Sequence, residues 1–229
     1  MGAKPGILKN AGVLFDLDGT LVDSAPDLAR VLNILLEREG LPCLREEAVR
    51  PMVGRGARKL LARGFEAAGR EPAEGRLDDL TADFLSLYSD GIADLSTPFA
   101  GVRPVLATLG SAGARLAVCT NKKERLARQL LEELDLLACF GAVLGADSVP
   151  ARKPDPRHLT TAIAALEADA ARTVMVGDSA ADVNAARAAG IPVIAVAWGY
   201  TETPARNLGA DAVVEHFHEI PERVAALLA

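Results

Sequence analysis

The 229-residue chain is long enough to bury a substantial core, either as one domain or as one large and one small domain. Half of its residues are hydrophobic and its net charge is −6, which argues against nucleic-acid binding because such binding relies on basic side chains that neutralise phosphates. Its three cysteines lack zinc-ligand spacing, and we find neither a membrane span nor a signal-peptide core, so we expect a cytoplasmic protein without a membrane partner.

The first predicted strand, residues 12–17, runs into two aspartates, Asp16 and Asp18, which are followed by Gly19. Alternating side chains of a strand point to opposite sides, so a turn at Gly19 is needed to bring both carboxylates to one small space. Two neighbouring acids repel each other unless a cation joins them, and carboxylate oxygens suit a divalent cation. The alternative is that both aspartates only cap a turn, a common position for this residue.

The segment 25–96 shows helical periodicity and no convincing strand. A helix is predicted after Pro26, with further helices over 55–68 and 76–90, and residues 94–101 have the composition of a linker. We therefore expect an all-helical domain over 25–96, inserted into a core formed by 1–24 and 97–229. An insertion after the first strand would cover the carboxyl ends of the strands, where ligands bind in open α/β sheets.

Beyond the insertion, short apolar runs alternate with segments of helical periodicity. The apolar runs are 114–119, 141–144, 173–177 and 192–197, and the helical segments are 122–134, 157–168 and 179–189. Continuous apolar strands are typical of a parallel sheet that is covered on both faces. The alternation predicts the α/β class, with a doubly wound parallel sheet and an inserted helical domain.

Polar residues follow the later strands as well. Thr120 and Asn121 come after 114–119, and Lys153 lies in the loop after 141–144. Asp178 follows 173–177, and Asp182 lies four residues further on. In a parallel sheet all of these residues lie at one edge, together with the two aspartates of the first strand.

Each of these later residues also has a simpler interpretation. Thr120 and Asp178 could each cap the following helix, Asp182 could be an ordinary first-turn acid, and Lys153 could be a solvated loop lysine. Their joint occurrence at successive strand ends favours a shared site. In such a site the aspartates would supply oxygens for Mg²⁺, Thr120 and the amides after it would bind phosphate at a helix N-terminus, and Lys153 would neutralise a phosphoryl group.

These residues resemble the four motifs of the haloacid dehalogenase superfamily, in its phosphoglycolate-phosphatase-like branch. Asp16-Leu-Asp-Gly-Thr-Leu21 matches the first motif, Thr120 the second, Lys153 the third and Gly177-Asp-Ser-Ala-Ala-Asp182 the fourth. The helical segment 25–96 matches a cap domain between the first and second motifs. The resemblance covers nearly the whole chain, and it is the ordered set of motifs that makes it specific.

The resemblance implies a role for each residue. Asp16 would attack phosphorus, and Asp18 would protonate the leaving oxygen and then activate water. Magnesium would be held by the carboxylates of Asp16 and Asp178 and by the backbone carbonyl of Asp18. Lys153 and Thr120 would contact the phosphoryl group with help from Asn121, while Asp182 would bind the metal's waters or orient Lys153.

The resemblance also extends to the loop 52–60, a basic segment with two glycines that is similar to the cap loop of phosphoglycolate phosphatases. Gly54 and Gly56 would let this loop approach the site closely. Arg55 would then be placed to pair with a substrate carboxylate. The alternative is that Arg55 and its basic neighbours are simply solvated.

The predicted function is Mg²⁺-dependent hydrolysis of a small phosphorylated metabolite through an aspartyl-phosphate, with 2-phosphoglycolate as the first candidate, by a monomer or a homodimer. An aspartate at position 18 favours phosphate esters over the halides and phosphonates that related enzymes cleave. Phosphatases for sugar phosphates and sugar-phosphate mutases remain alternatives. A phospho-accepting signalling receiver shares the acid cluster and the lysine but lacks a helical insertion and is about half this length.

Overall fold

A parallel sheet forms the centre of the computed structural model, which describes residues 6–229. Its six strands are β1 (Gly12–Phe15), β4 (Arg115–Cys119), β5 (Ala142–Leu144), β6 (Thr173–Gly177), β7 (Val193–Val196) and β8 (Ala212–Val214). Their order in the sheet is β5-β4-β1-β6-β7-β8, and every neighbouring pair is parallel. The predicted α/β class is confirmed. Residues 1–5 of the predicted core lie outside the described residues.

Helices cover both faces of this sheet, which explains why its strands are continuously apolar. Alternate residues of β1 point to opposite faces. Val13 and Phe15 belong to one apolar cluster and Leu14 to another, and all three are fully buried. The helices on the first face are α5 (Val102–Ser111), α6 (Glu124–Glu133) and α9 (Ile220–Leu227), and those on the second are α7 (Arg157–Ala165) and α8 (Ala180–Ala189).

The segment 25–96 is helical, as predicted. Its helices are α1 (Ala25–Arg38), α2 (Glu46–Val49), α3 (Ala57–Ala67) and α4 (Glu74–Asp90). Leu32, Leu61, Phe65 and Phe84 are almost completely buried where α1, α3 and α4 pack together. None of the helices in the described part of the chain is both long and apolar enough to cross a membrane.

A two-stranded antiparallel ribbon joins this helical segment to the sheet. It consists of β2 (Val22–Asp23) and β3 (Thr97–Pro98), so the chain leaves and re-enters the core side by side. Asp27 fixes the returning strand: its buried Oδ2 accepts hydrogen bonds from the backbone N–H groups of Leu95 and Ser96 and from the Ser96 hydroxyl, at 2.7–2.9 Å. The sequence did not reveal this ribbon because a two-residue strand leaves no periodicity.

The order of the strands places the site. The chain proceeds from β1 to β4 and β5 on one side, and then crosses to β6 on the other side of β1. The chain leaves β1 towards one side of the sheet and leaves its neighbour β6 towards the other side. Where two neighbouring strands are followed by connections in opposite directions, a crevice opens at their carboxyl ends. The loops after β1 and β6, which carry the predicted aspartates, form the walls of this crevice.

Candidate active site

The structure brings all of the sequence-predicted core residues together at the carboxyl edge of the sheet. Each is buried, with at most 8% of its surface exposed. They are Asp16, Asp18, Thr120, Asn121, Lys153, Asp178 and Asp182. Seven polar or charged residues buried in one place need specific partners, since an unpaired polar group in a protein interior is costly.

Lys153 is the positive centre of this cluster. Its Nζ lies 2.6 Å from Asp182 Oδ1 and 3.0 Å from Asp16 Oδ1, and its side chain is 1% exposed. Burial acts to lower the pKa of Lys153, but the two carboxylates outweigh it and hold this pKa above its usual range. Lys153 is therefore held in its charged form.

Asp182 is fully engaged by neighbouring groups. Lys153 takes its Oδ1, while the backbone N–H and the hydroxyl of Ser179 donate to its Oδ2 at 3.0 and 2.7 Å. The Ser179 contacts place Asp182 in the first turn of α8, where an acid is favoured by the unpaired N–H groups of the helix. Both Asp182 oxygens therefore accept hydrogen bonds, and one of them holds the ammonium group of Lys153.

Asp178 lies directly across the crevice from the turn at Gly19. Its Oδ2 accepts a hydrogen bond from the backbone N–H of Tyr200 at 2.8 Å. Gly19 has φ +85°, and a Cβ atom there would lie 2.6 Å from Asp178 Oδ2. A side chain at position 19 would therefore be strained and would collide with the carboxylate, so the glycine is needed for both reasons.

The carboxylates fit a metal ion. Oxygen atoms of Asp16, Asp178 and Asp182 lie within 4.8 Å of one another, and all three residues are buried. Burial raises the pKa of Asp16 to about 7, against the opposing effect of Lys153, and burial also raises the pKa of Asp178. The raised pKa values reflect the cost of burying negative charge here, and a divalent cation, which suits hard oxygen donors of this kind, would offset that cost.

Thr120 and Asn121 lie at the end of β4. The Thr120 hydroxyl accepts a hydrogen bond from the backbone N–H of Lys122 at 3.2 Å, in the turn that leads to α6. The Asn121 side-chain amide donates to the carbonyl of Gly54, in the helical segment, and to that of Lys153, at 3.1 and 3.2 Å. In this structure the Asn121 amide thus joins the two parts of the chain.

Asp18 has two partners that the sequence analysis missed. The Ser24 hydroxyl donates to Asp18 Oδ1 at 2.6 Å, and Lys122 Nζ lies 2.8 and 3.0 Å from its two oxygens. Both partners are buried or nearly so. The sequence signal for Lys122 was its position directly after Thr120 and Asn121. Every residue of a turn that follows a parallel strand lies at the edge of the sheet where the site forms.

A cavity of about 370 Å³ lies between these residues and the helical segment. Gly54, Arg55 and Gly56 line it on the side of the helical segment, as predicted. The Arg55 side chain is exposed and has no ion-pair partner among the described residues. Arg58 instead pairs with Asp78 at 3.0 Å. Arg152 also lines the cavity and was not predicted; a Cβ atom on Gly56 would lie only 3.1 Å from its guanidinium.

His158 supports the loop that carries Lys153. Its Nδ1 accepts from the Lys153 backbone N–H at 3.4 Å, and its Nε2 donates to the Leu144 carbonyl at 3.2 Å. A backbone N–H only donates and a carbonyl only accepts, so these partners select the neutral ring. Burial, reinforced by the charge of Lys153, lowers the pKa of His158 to about 4.

The doubly wound sheet carries an acid-lined crevice at its switch point, the place where open α/β sheets bind their ligands. The family model described as haloacid dehalogenase-like hydrolase matches residues 13–196. The chain belongs to this haloacid dehalogenase-like family, whose members generally use a divalent metal. The resemblance that the motifs suggested is thereby confirmed.

Among individual proteins, the chain is 50% identical over 221 residues to the phosphoglycolate phosphatase of Caulobacter vibrioides, an alignment that covers 96% of this chain and 93% of that protein. It is 43% identical over 216 residues to the phosphoglycolate phosphatase of Mesorhizobium japonicum, covering 94% and 95%. The crystal structure of a predicted phosphoglycolate phosphatase from Haemophilus somnus is similar with a TM-score of 0.88 and 29% identity, covering 94% of this chain and 98% of that one.

The neutral state of His158 predicts a pH-dependent stability. The folded pKa of about 4 lies below the value of about 6.5 for a free histidine, so between these pH values the unfolded chain binds a proton that the folded chain does not. The free energy of unfolding should therefore fall by about 3 kcal/mol from this residue as the pH drops from 6.5 to 4, with no further contribution below pH 4. Urea denaturation of the native protein and of His158→Gln, compared across this range, measures the difference.

The His158→Gln variant should lose this part of the pH dependence, because glutamine does not titrate. His218, whose side chain is exposed, provides the matched control, and His218→Gln should keep the native profile. Parallel profiles for the native protein and His158→Gln would contradict the assignment of a neutral, buried ring.

Proposed function

We propose that this chain is a Mg²⁺-dependent phosphatase that hydrolyses 2-phosphoglycolate to glycolate and inorganic phosphate. The observation that carries the proposal is the 50% identity, over 96% of the chain, to a protein named phosphoglycolate phosphatase. The buried lysine and carboxylates at the switch point support it, because they match the needs of a phosphoryl group in charge and in donor atoms. The substrate class is a small phosphorylated metabolite.

Asp16 is the proposed nucleophile. One carboxylate oxygen attacks phosphorus, the bond from phosphorus to the ester oxygen breaks, and an aspartyl-phosphate forms on Asp16. Asp16 Oδ1 accepts hydrogen bonds from the Leu17 N–H at 2.7 Å and from Lys153, while Oδ2 has no hydrogen-bond partner within residues 6–229. These contacts orient the carboxylate. They support the proposal that Oδ1 is held by the protein while Oδ2 attacks phosphorus.

Asp18 is the proposed acid and base. It gives a proton to the departing ester oxygen, so that glycolate leaves with a neutral hydroxyl group. It then takes a proton from the water that attacks phosphorus, the bond between phosphorus and Asp16 breaks, and phosphate is released. The single carboxylate thus returns to its starting state after each turnover.

Lys153, Thr120 and Asn121 are proposed to contact the phosphoryl group, and Lys153 offsets its negative charge. A Mg²⁺ ion held by the Asp16 and Asp178 carboxylates and the Asp18 backbone carbonyl would add electrostatic stabilisation of the charge on the phosphoryl oxygens. Asp182 keeps Lys153 in place, which accords with the engagement of both its oxygens.

Residues 25–96 are proposed to form a cap domain over a core of residues 1–24 and 97–229. The loop of Gly54, Arg55 and Gly56 extends over the cavity, and Arg55 is the proposed partner of the substrate carboxylate. Covering the cavity would also exclude water while the phosphoryl group is transferred. A cytoplasmic location and a monomeric or homodimeric state remain predictions from the sequence.

Phosphate release from a panel of small phosphomonoesters, measured with Mg²⁺ and with EDTA, tests this function. We expect metal-dependent release with the highest kcat/KM for 2-phosphoglycolate, because its carboxylate can pair with Arg55 while its short chain keeps the phosphoryl group near the acid cluster. A higher kcat/KM for a sugar phosphate would leave the chemistry standing and remove the named substrate. Interconversion of sugar phosphates without net phosphate release would indicate a mutase.

Asp16→Asn should reduce turnover to background with 2-phosphoglycolate and with p-nitrophenyl phosphate, because an amide oxygen is a poor nucleophile and forms no stable phosphoryl derivative. Circular dichroism and thermal denaturation should show that the fold is retained, since asparagine has nearly the same shape as aspartate. Substantial residual activity in a folded variant would rule out Asp16 as the nucleophile.

Arg55→Ala should lower kcat/KM for 2-phosphoglycolate by roughly tenfold or more while leaving p-nitrophenyl phosphate nearly unaffected, because only the former carries a carboxylate to pair with arginine. Arg45→Ala is the matched control, since Arg45 is exposed in the same helical segment and does not line the cavity. An equal loss on both substrates would remove Arg55 from carboxylate recognition.

A further inference from the structure

A second buried lysine lies in the active site, and none of the proposed chemical steps uses it. Lys122 is in the turn between β4 and α6, and its side chain is 7% exposed. Its Nζ contacts both oxygens of Asp18, at 2.8 and 3.0 Å. The two contacts, together with the Ser24 hydroxyl at 2.6 Å from Oδ1, fix the direction in which the Asp18 carboxylate points.

The other side of Lys122 faces the helical segment. Its Nζ lies 4.6 Å from the centre of the Tyr88 ring, a distance at which an ammonium group is attracted by the negative face of an aromatic ring. Tyr88 belongs to α4 and is 1% exposed, and its ring stacks on Phe84 with 6.1 Å between centroids. The attraction is stronger where water is excluded, as it is here.

These contacts make one continuous chain from the helical segment to the reacting groups. Tyr88 is contributed by residues 25–96, Lys122 follows β4, and Asp18 follows β1. The long side chain of lysine is flexible and has several rotamers, so a charge partner on one side and a ring on the other are needed to confine it to one position. The Tyr88 hydroxyl is buried and has no hydrogen-bond partner in the described part of the chain, whereas the ring lies within cation–π distance of Lys122 Nζ, so the ring is the part of Tyr88 to which we assign the contact.

We propose that Lys122 is a positioning residue for Asp18 and that Tyr88 completes this arrangement from the helical segment. The acid and base of the reaction is then held in its working orientation only while α4 covers the site. The inference rests on the proposed function, in which Asp18 protonates the leaving oxygen. It assigns to Lys122 and Tyr88 a task that is separate from binding the phosphoryl group or the substrate carboxylate.

The effect of misplacing Asp18 should depend on the leaving group. Ethyl phosphate releases a strongly basic oxygen that needs a proton, whereas p-nitrophenyl phosphate releases a stable phenolate that needs little help. Neither ester carries a carboxylate, so Arg55 does not influence the comparison. The parameter to compare is kcat/KM, because it reports only the steps up to the first departure of the leaving group and is insensitive to the later hydrolysis of the aspartyl-phosphate.

Lys122→Met, which removes the charge and keeps the length, should lower kcat/KM for ethyl phosphate on the order of 10²-fold and that for p-nitrophenyl phosphate by no more than about tenfold. Lys122→Arg should recover part of the ratio between the two substrates because it restores the charge. Lys9→Met is the control for the loss of a lysine charge, since Lys9 is exposed and does not line the cavity, and it should leave the ratio at the native value. Phosphate release from each ester, measured with substrate in excess over enzyme, gives kcat/KM for each variant. Thermal denaturation shows whether the variant is folded.

Tyr88→Leu should change the ratio in the same direction as Lys122→Met, and Tyr88→Phe, which keeps the ring, should retain the native ratio. Because Tyr88 acts through Lys122, the double variant Lys122→Met with Tyr88→Leu should show the same ratio as Lys122→Met alone. This comparison between variants stays informative even if the substitutions reduce stability, provided that folded protein is obtained.

Equal losses on the two esters in Lys122→Met would overturn the inference, and so would additive changes of the ratio in the double variant. A loss in Tyr88→Phe as large as that in Tyr88→Leu would assign the effect to the hydroxyl and would overturn the role of the ring. A native protein that releases no phosphate from any ester would overturn the proposed function and this inference together. If the native protein is active but Lys122→Met does not impair ethyl phosphate more than p-nitrophenyl phosphate, this inference alone would be overturned.

Discussion

Burial of charge at the carboxyl edge of the sheet is the constraint on which the rest of this structure depends. Asp16, Asp178 and Asp182 converge around Lys153, and the protein interior leaves such charges little water to screen them. The fold compensates with fixed donors, among them the backbone N–H groups of Leu17, Ser179 and Tyr200. Those N–H groups lie in the loops that follow β1, β6 and β7, so the carboxyl edge of the sheet itself supplies them.

The same constraint ties the helical segment to the core. Tyr200, whose N–H donates to Asp178, also donates its hydroxyl to Asp23 at 2.6 Å and accepts from the Ala25 N–H at 3.1 Å. Asp23 in turn pairs with Arg50 at 2.9 Å. One residue therefore joins the acid cluster to the ribbon through which the chain enters and leaves the helical segment. A movement of that segment would reach the reacting groups through these hydrogen bonds and the Asp23–Arg50 ion pair.

The sequence predicted most of the sheet and its helices because buried parallel strands leave long apolar runs. It predicted the end of β6 at Gly177 correctly and placed α4 within two residues of its start at Glu74. The two-residue strands β2 and β3, the edge strand β8 and the helices α2, α5 and α9 were missed. Short strands are formed by pairing rather than by local preference, and the missed helices do not follow the strong strand-end motifs that guided the interpretation elsewhere.

The sequence by itself determined the fold class, the insertion after β1 and the set of acids, hydroxyl and lysine at the strand ends, because each depends on a local pattern of residue types. Only the tertiary structure decided which side chains meet. It gave Asp18 its partner Lys122, placed Tyr88 over that lysine, turned the Asn121 amide towards Gly54 and put Arg152 into the cavity wall. Those contacts join residues that are far apart along the chain, and no local pattern encodes the distance between them.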